Sequence, residues 1–171
     1  CLLFQYAGMS FVDFAHLKER NIKNGILDYN RQKTGTPMRL EILDTAELMR
    51  KELMGDKRPA SGYLFPFLSG TKTGYEAYLE YNAALSRFNR NLKALKKAAG
   101  IASDVTSYTI RHSFAMALKE QNVPIEMISE LLGHKSIKTT QIYLRSFSLE
   151  KMTEVNSTCF GCVYNYVSKV G

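Results

Sequence analysis

The chain has 171 residues, 45% of them apolar, and a formal net charge of +7, enough chain to bury one sizeable core and to predict a single globular domain. No apolar run approaches the roughly 18 residues of a membrane span, and the opening residues Cys1 to Phe4 lack the basic flank of a secretory leader, so a soluble cytoplasmic protein is expected. Cys1, Cys159 and Cys162 are too few for a disulfide framework, and the Cys159–Cys162 pair has no second half with which to hold zinc.

Taken in chain order, the apolar start at Leu2 has no cap before it and looks like a helix already under way, so the chain is read as a fragment. Ser10 with Asp13 three residues on fits a capping box, and a short helix begins there. Asn24-Gly25 is a hairpin signal: Ile26 to Gln32 reads as extended, Thr34 to Pro37 turns the chain, and Met38 to Leu43 returns it. Asp44 and Glu47 form a second capping box that starts a helix running toward Met54, and Gly55 to Gly62 is loop. From Tyr75 to Ala99 the apolar positions Tyr81, Leu85, Phe88, Leu92 and Leu95 recur at helical steps, and Gly100 stands where the helix should end. Helices from about Tyr108 to Gln121, Pro124 to Leu132 with Pro in the first turn, and Ser136 to Ser146 follow. The tail from Leu149 to Val170 is weakly helical and carries an apolar stripe. The expected fold class is mainly α with a small antiparallel β-sheet.

Charge is unevenly distributed. Residues 1–86 hold eleven Lys and Arg against ten Asp and Glu, whereas residues 87–151 hold eleven against five. Much of the excess lies on one side of the long helix, at Arg87, Arg90, Lys93, Lys96 and Lys97, with Lys135 and Lys138 further on. Such a face either lies along a polyanion, most often nucleic acid, or is simply solvated.

The chemistry concentrates in three segments: Arg111-His112, then Leu132-Gly133-His134, then Thr139-Thr140-Gln141-Ile142-Tyr143. Arg111 and His134 are 23 residues apart, and Tyr143 follows His134 by nine. In residue type, order and spacing together this closely resembles the signature of the tyrosine recombinases, the phage-integrase family. The likeness extends in less detail over nearly the whole chain, because Gln32-Lys33-Thr34-Gly35 occupies the hairpin on which that family places a catalytic lysine. The segment from Tyr6 to Asp13 resembles integrases of mobile elements in Bacteroides-like bacteria. The resemblance implies the family's catalytic-domain fold across residues 1–171, without the family's N-terminal core-binding domain. It also implies site-specific cleavage and rejoining of double-stranded DNA through a 3′-phosphotyrosyl intermediate, with protomers associating to a tetramer on DNA.

The residue types suit that chemistry. A phenol has a pKa near 10, so ionising it at neutral pH costs roughly 4 kcal/mol before any attack on phosphorus. Cationic groups must offset this and must also meet the charge that gathers on the non-bridging phosphate oxygens. By the resemblance Tyr143 is the nucleophile, Arg111 and His134 bind those oxygens, and Lys33 protonates the departing 5′ oxygen. The ester conserves the phosphodiester bond energy, so no cofactor, nucleotide or metal is expected. The chain accordingly shows no phosphate-binding glycine loop and no compact carboxylate cluster suited to two magnesium ions.

Two departures from the family pattern stand out. Where members carry a first arginine in a Gly-x-Arg setting, this chain has Gly8-Met9-Ser10, and where they carry a histidine three residues before the second arginine it has Tyr108. Tyr108 can donate a hydrogen bond but cannot shuttle a proton near neutrality. Arg31 is the candidate substitute for the missing arginine, since strand alternation would send it to the same face as Lys33; Arg20 is another, and Ser10 would serve as a helix cap. A non-catalytic DNA-binding descendant of a recombinase and a type IB topoisomerase-like enzyme are the alternative functions. Trapping of a covalent DNA adduct separates enzyme from binder.

Overall fold

A computed structural model describes residues 2–55 and 62–144, with Tyr143 represented by its backbone alone. Seven α-helices, α1 (Leu2–Gln5), α2 (Phe11–His16), α3 (Asp44–Met54), α4 (Gly74–Ala98), α5 (Ser107–Glu120), α6 (Ile125–Leu131) and α7 (Ile137–Tyr143), surround the strands β1 (Ile22–Lys23), β2 (Ile26–Asn30) and β3 (Pro37–Glu41) among the described residues. The class is the expected one, mainly helical with one small antiparallel sheet, ordered β1-β2-β3.

Local chemistry accounts for most of the boundaries. Ser10 caps α2: its hydroxyl accepts from the Asp13 backbone N–H at 3.4 Å and donates to the Asp13 carboxylate at 2.5 Å. Asn24 and Gly25 both have positive φ, 51° and 74°, as the tight turn joining β1 to β2 requires. Thr106 caps α5 by accepting from the Thr109 N–H at 3.2 Å, and Ser136 caps α7 by accepting from the Lys138 N–H at 3.3 Å.

β2 and β3 pair with Leu27 opposite Leu40 and Tyr29 opposite Met38. Alternation buries Leu27, Tyr29 and Met38 on one face, where they join Leu3, Phe14, Leu64 and Phe65 in the main core. Phe14 and Phe65 stack with ring centroids 4.1 Å apart. A second cluster forms where Phe11 of α2 meets Phe88 of α4, centroids 4.7 Å apart. A third joins Ala115 of α5 to Ile128 and Leu132 at α6. The helices bearing the signature residues are therefore packed on one another as well as on the sheet.

Several expectations are corrected. The β2–β3 ladder ends at Asn30 opposite Pro37, so the extended segment stops short of Gln32. Residues 31–36 instead form a closed turn, with the Arg31 N–H on the Thr36 carbonyl at 2.9 Å and the Gly35 N–H on the Arg31 carbonyl at 2.8 Å. Asp44 is the first residue of α3 rather than its cap, which is Leu43. The Glu47 carboxylate that would have completed the box is held instead by Arg50 through two hydrogen bonds of 2.6 and 2.7 Å. Pro124 precedes α6 as its N-cap. On α4, Tyr81, Leu85 and Phe88 face the core but Leu95 is 64% exposed, because the helix outruns the body on which it packs. No helix among the described residues is long and apolar enough to cross a membrane. The tail from Leu149 onward and the Cys159–Cys162 pair lie outside the described residues.

Leu27, fully buried at the centre of the sheet, is the position at which truncation should be felt most directly. Leu27→Ala is expected to lower unfolding free energy by about 2 to 5 kcal/mol, read as a shift of the urea midpoint with an unchanged slope.

Candidate active site

Arg111 lies on the buried side of α5, one turn beyond the Thr106 cap, and is only 5% exposed. A buried guanidinium is tolerated only when its N–H groups find acceptors. Here Nη1 donates to the Gly8 carbonyl at 2.9 Å, and Nη2 donates to the Leu132 carbonyl and to His134 Nε2, the latter at 3.2 Å. None of these three acceptors is a carboxylate.

Arg31 arrives at the same place from the sheet. It is 8% exposed, and its Nη1 donates to the carbonyls of Leu132 and Gly133, both at 3.0 Å. Its Nε is 3.4 Å from Asp13 Oδ2, while Asp13 Oδ1 accepts the Gln32 N–H at 2.7 Å. The Arg31 Nη2 group makes no hydrogen bond among the described residues. Two guanidinium groups thus converge on one carbonyl oxygen, with Asp13 the single carboxylate bonded to either of them among the described residues. The surplus is positive, which favours an anion.

The Leu132-Gly133-His134 turn makes this approach possible. Gly133 has φ +60°, and a Cβ there would lie 2.5 Å from Met38 Sδ and 2.6 Å from Arg31 Cδ. Glycine is needed for both the backbone conformation and the closeness of the hairpin.

His134 bridges two helices, its Nε2 facing Arg111 on α5 and its Nδ1 at 2.9 Å from Thr140 Oγ1 on α7. Burial first, then the charges of Arg111 and Arg31, push its pKa from 6.5 down to about 4. The ring is neutral at physiological pH. Because arginine can only donate, Nε2 holds the lone pair and Nδ1 the proton, which it donates to Thr140. Thr140 is fully buried, and Tyr143 lies three residues further along α7 as the last residue of that helix.

The remaining candidates are more scattered. Lys33 is exposed in the hairpin turn and makes no hydrogen bond or ion pair among the described residues. The inference that alternation sends Arg31 and Lys33 to one face fails, because both lie beyond the end of β2, one buried and the other exposed. Arg31 nevertheless reaches Arg111, through the turn rather than the strand. Tyr108 is 59% exposed on the first turn of α5. Ser10 is the α2 cap, and Arg20 is exposed in the single 3-10 turn of Glu19–Asn21. Arg87, Arg90, Lys93, Lys97, Lys135 and Lys138 are all exposed, whereas Lys96 is engaged by Asp104 at 3.0 Å and drops out of the basic face. Among the described residues no three His, Cys, Asp or Glu side chains come together as a metal-binding group.

Two participants were not apparent as such in the sequence. Asp13 was visible only as a capping residue, although it also tethers Arg31. Thr140 was visible only as part of a motif, and its spacing of six from His134 is not one that a single helix would bring together.

The fold and the buried Arg–His constellation define a mainly helical domain in which two arginines and a histidine gather at one turn, with a tyrosine-bearing helix docked on it. The phage integrase family model matches residues 2–150, and the chain belongs to that family. Among curated relatives, the tyrosine recombinase XerD of Lacticaseibacillus casei is 52% identical over 54 residues, 32% of this chain and 18% of that protein. Among solved structures, XerA recombinase superposes with a TM-score of 0.65 at 21% identity, covering 91% of this chain and 55% of that one. A lambda integrase tetramer bound to a Holliday junction gives 0.59 at 18% identity, with 86% and 42% covered. The chain therefore spans about half the length of these solved relatives, or less, and about a fifth of the XerD protein.

The depressed His134 pKa has a consequence for stability. The unfolded chain takes up this proton near pH 6.5 and the folded chain only near 4, so acidification through that window favours the unfolded state. The histidine's contribution is whole above about pH 6.5 and lost progressively down to about 4. Replacing it, as in His134→Gln, should make the urea midpoint fall less between about pH 7 and about pH 5 than in the wild type.

Proposed function

We propose that this chain is the catalytic domain of a site-specific DNA recombinase that cleaves and rejoins double-stranded DNA through a covalent tyrosyl ester, acting in the bacterial cytoplasm. The observation that carries the reading is the convergence of Arg31, Arg111 and His134 around the Leu132 carbonyl, with the Tyr143 helix bound to His134 through Thr140. A phosphodiester set against this cluster would meet two guanidinium groups. Arg31 thereby takes the place of the arginine that Ser10 replaces.

The Tyr143 hydroxyl releases its proton to solvent as its oxygen attacks phosphorus, the bond to the 5′ oxygen breaks, and that oxygen takes a proton from Lys33, which regains one from solvent, leaving Tyr143 esterified to the 3′ phosphate. The reverse attack by a 5′ hydroxyl restores both. The electrostatic surplus of the cluster lowers the energy of the charge developing on the non-bridging oxygens. An incoming phosphate also acts on His134. Its negative charge opposes the two arginines and favours a proton on Nε2, which turns that atom from acceptor to donor. Lys33, exposed on a turn whose root is anchored by Asp13, can reach a bound strand without leaving the fold. The basic side of α4, with Lys135 before α7 and Lys138 in its first turn, holds the duplex backbone. The family membership and the tetramer in the solved lambda integrase structure support assembly of protomers on DNA.

The decisive assay is covalent trapping on nicked double-stranded DNA using the full-length protein. Tyr143→Phe is expected to bind the DNA and form no adduct. Arg31→Ala is expected to form it at least about a hundredfold more slowly, the scale of one lost oxyanion donor. An adduct at wild-type level with Tyr143→Phe would overturn the mechanism, and an unchanged rate with Arg31→Ala would overturn the substitution.

The duplex-binding role of α4 is tested by salt. Replacing Arg90, Lys93 and Lys97 with Ala should weaken binding for any DNA sequence and flatten the dependence of log affinity on log salt by about one unit for each lost phosphate contact.

A further inference from the structure

The His134–Thr140 hydrogen bond joins the turn before α7 to that helix, between a fully buried hydroxyl and the ring of a half-buried histidine, 2.9 Å from Nδ1. Its chemistry is unusual in one respect. In the DNA-free protein Nε2 must accept, because it faces the Nη2 donor of Arg111. Against a phosphate oxygen the same atom must donate. A neutral imidazole can meet both demands only by moving its proton from Nδ1 to Nε2, and this leaves Nδ1 a buried lone pair where it had been an N–H. A backbone carbonyl or a carboxylate at Nδ1 would resist that exchange, since neither can donate. A hydroxyl can do both, by rotating its own proton.

We infer that Thr140 is a positioning residue whose hydroxyl serves both tautomers of His134, accepting from Nδ1–H in the free protein and donating to Nδ1 when Nε2 turns to the DNA phosphate. The inference deepens the recombinase reading and rests on it for the DNA-bound half. Its free-protein half stands on the geometry alone. Thr140 also links this switch to the nucleophile, being one turn before Tyr143 on α7, so the histidine that contacts phosphate and the helix that carries the attacking residue are held in register by one bond.

The test uses the intact protein, with Thr140→Val removing the hydroxyl at nearly constant shape and Thr140→Ser retaining it. Ring ¹⁵N NMR of His134 distinguishes Nδ1–H from Nε2–H without reference to activity. The wild type, Thr140→Ser and Thr140→Val should all show Nδ1–H in the free protein, because Arg111 holds Nε2 as the acceptor, and only Thr140→Val should lose the downfield proton shift of a hydrogen-bonded Nδ1–H. Adduct formation on nicked double-stranded DNA should be at least about tenfold slower for Thr140→Val, the lower end of what is lost when the partner of a metal-bound histidine is removed, while Thr140→Ser recovers most of the rate. The inference is overturned if the wild-type ring is Nε2–H, if Thr140→Val keeps both the wild-type Nδ1–H shift and rate, or if Thr140→Ser is as slow as Thr140→Val, which would make the residue a packing element. Should Thr140→Val not fold, the wild-type tautomer and the serine variant still decide. A wild-type protein that forms no adduct would sink the recombinase reading, while the ring spectrum would still settle what Thr140 does in the free protein.

Discussion

The carbonyl oxygen of Leu132 is the point on which the domain turns. It accepts from Arg111 on α5 and from Arg31 at the root of the hairpin, two groups that repel each other and that water would hold apart. Burying both is unfavourable unless backbone oxygens satisfy them. The α6–α7 turn supplies those oxygens because its residues leave the helix just as Gly133 takes up a positive φ. The result is a cationic site assembled from three regions distant in sequence, prepared before any ligand arrives. Such preorganisation makes a charged centre effective, because the donors need not be reoriented when negative charge develops.

The hairpin is the least self-sufficient part of this arrangement. Its turn closes through backbone hydrogen bonds, but its placement depends on Asp13, which binds the Gln32 N–H and Arg31 from below while receiving the Ser10 hydroxyl. Ser10 thus orients the carboxylate that anchors Arg31. Helix cap and arginine tether are combined in a segment of four residues, so loss of Ser10 would reach the cluster indirectly as well as weakening α2.

Electrostatics works at two distances. Within the cluster, desolvation and two neighbouring cations keep His134 neutral, so the positive charge there comes from the two arginines. Outside it, the exposed cations of α4 extend beyond the packed core, on a helix whose final apolar residue, Leu95, is itself left in solvent. A helix that projects with its basic side uncovered can track a backbone without disturbing the core.

Much of this was legible in residue order. Turn chemistry at Asn24-Gly25, the cap at Ser10, and the steps of three and four from Tyr81 to Phe88 are local signals, and local signals set element type and approximate ends. The spacing of Arg111, His134 and Tyr143 carried the family, because it matches that family's signature in residue type, order and distance together. Where a contact is made across the fold, the sequence was silent or misleading. Arg31 came to notice through strand alternation that does not extend to it, yet it reaches the cluster because a closed turn and a buried carboxylate deliver it there. Glu47 and Asp44 look like a capping box until Arg50 takes the carboxylate. Leu95 fits the apolar stripe, but whether a stripe finds a partner depends on where the rest of the core ends. Thr140 is one threonine of a pair, and only the packing of α7 against the Leu132–His134 turn decides that it is the one to hold the histidine. Period and propensity act over a few residues and are written in the chain; burial, charge compensation and tautomer depend on what lies across the interface, which tertiary structure alone determines.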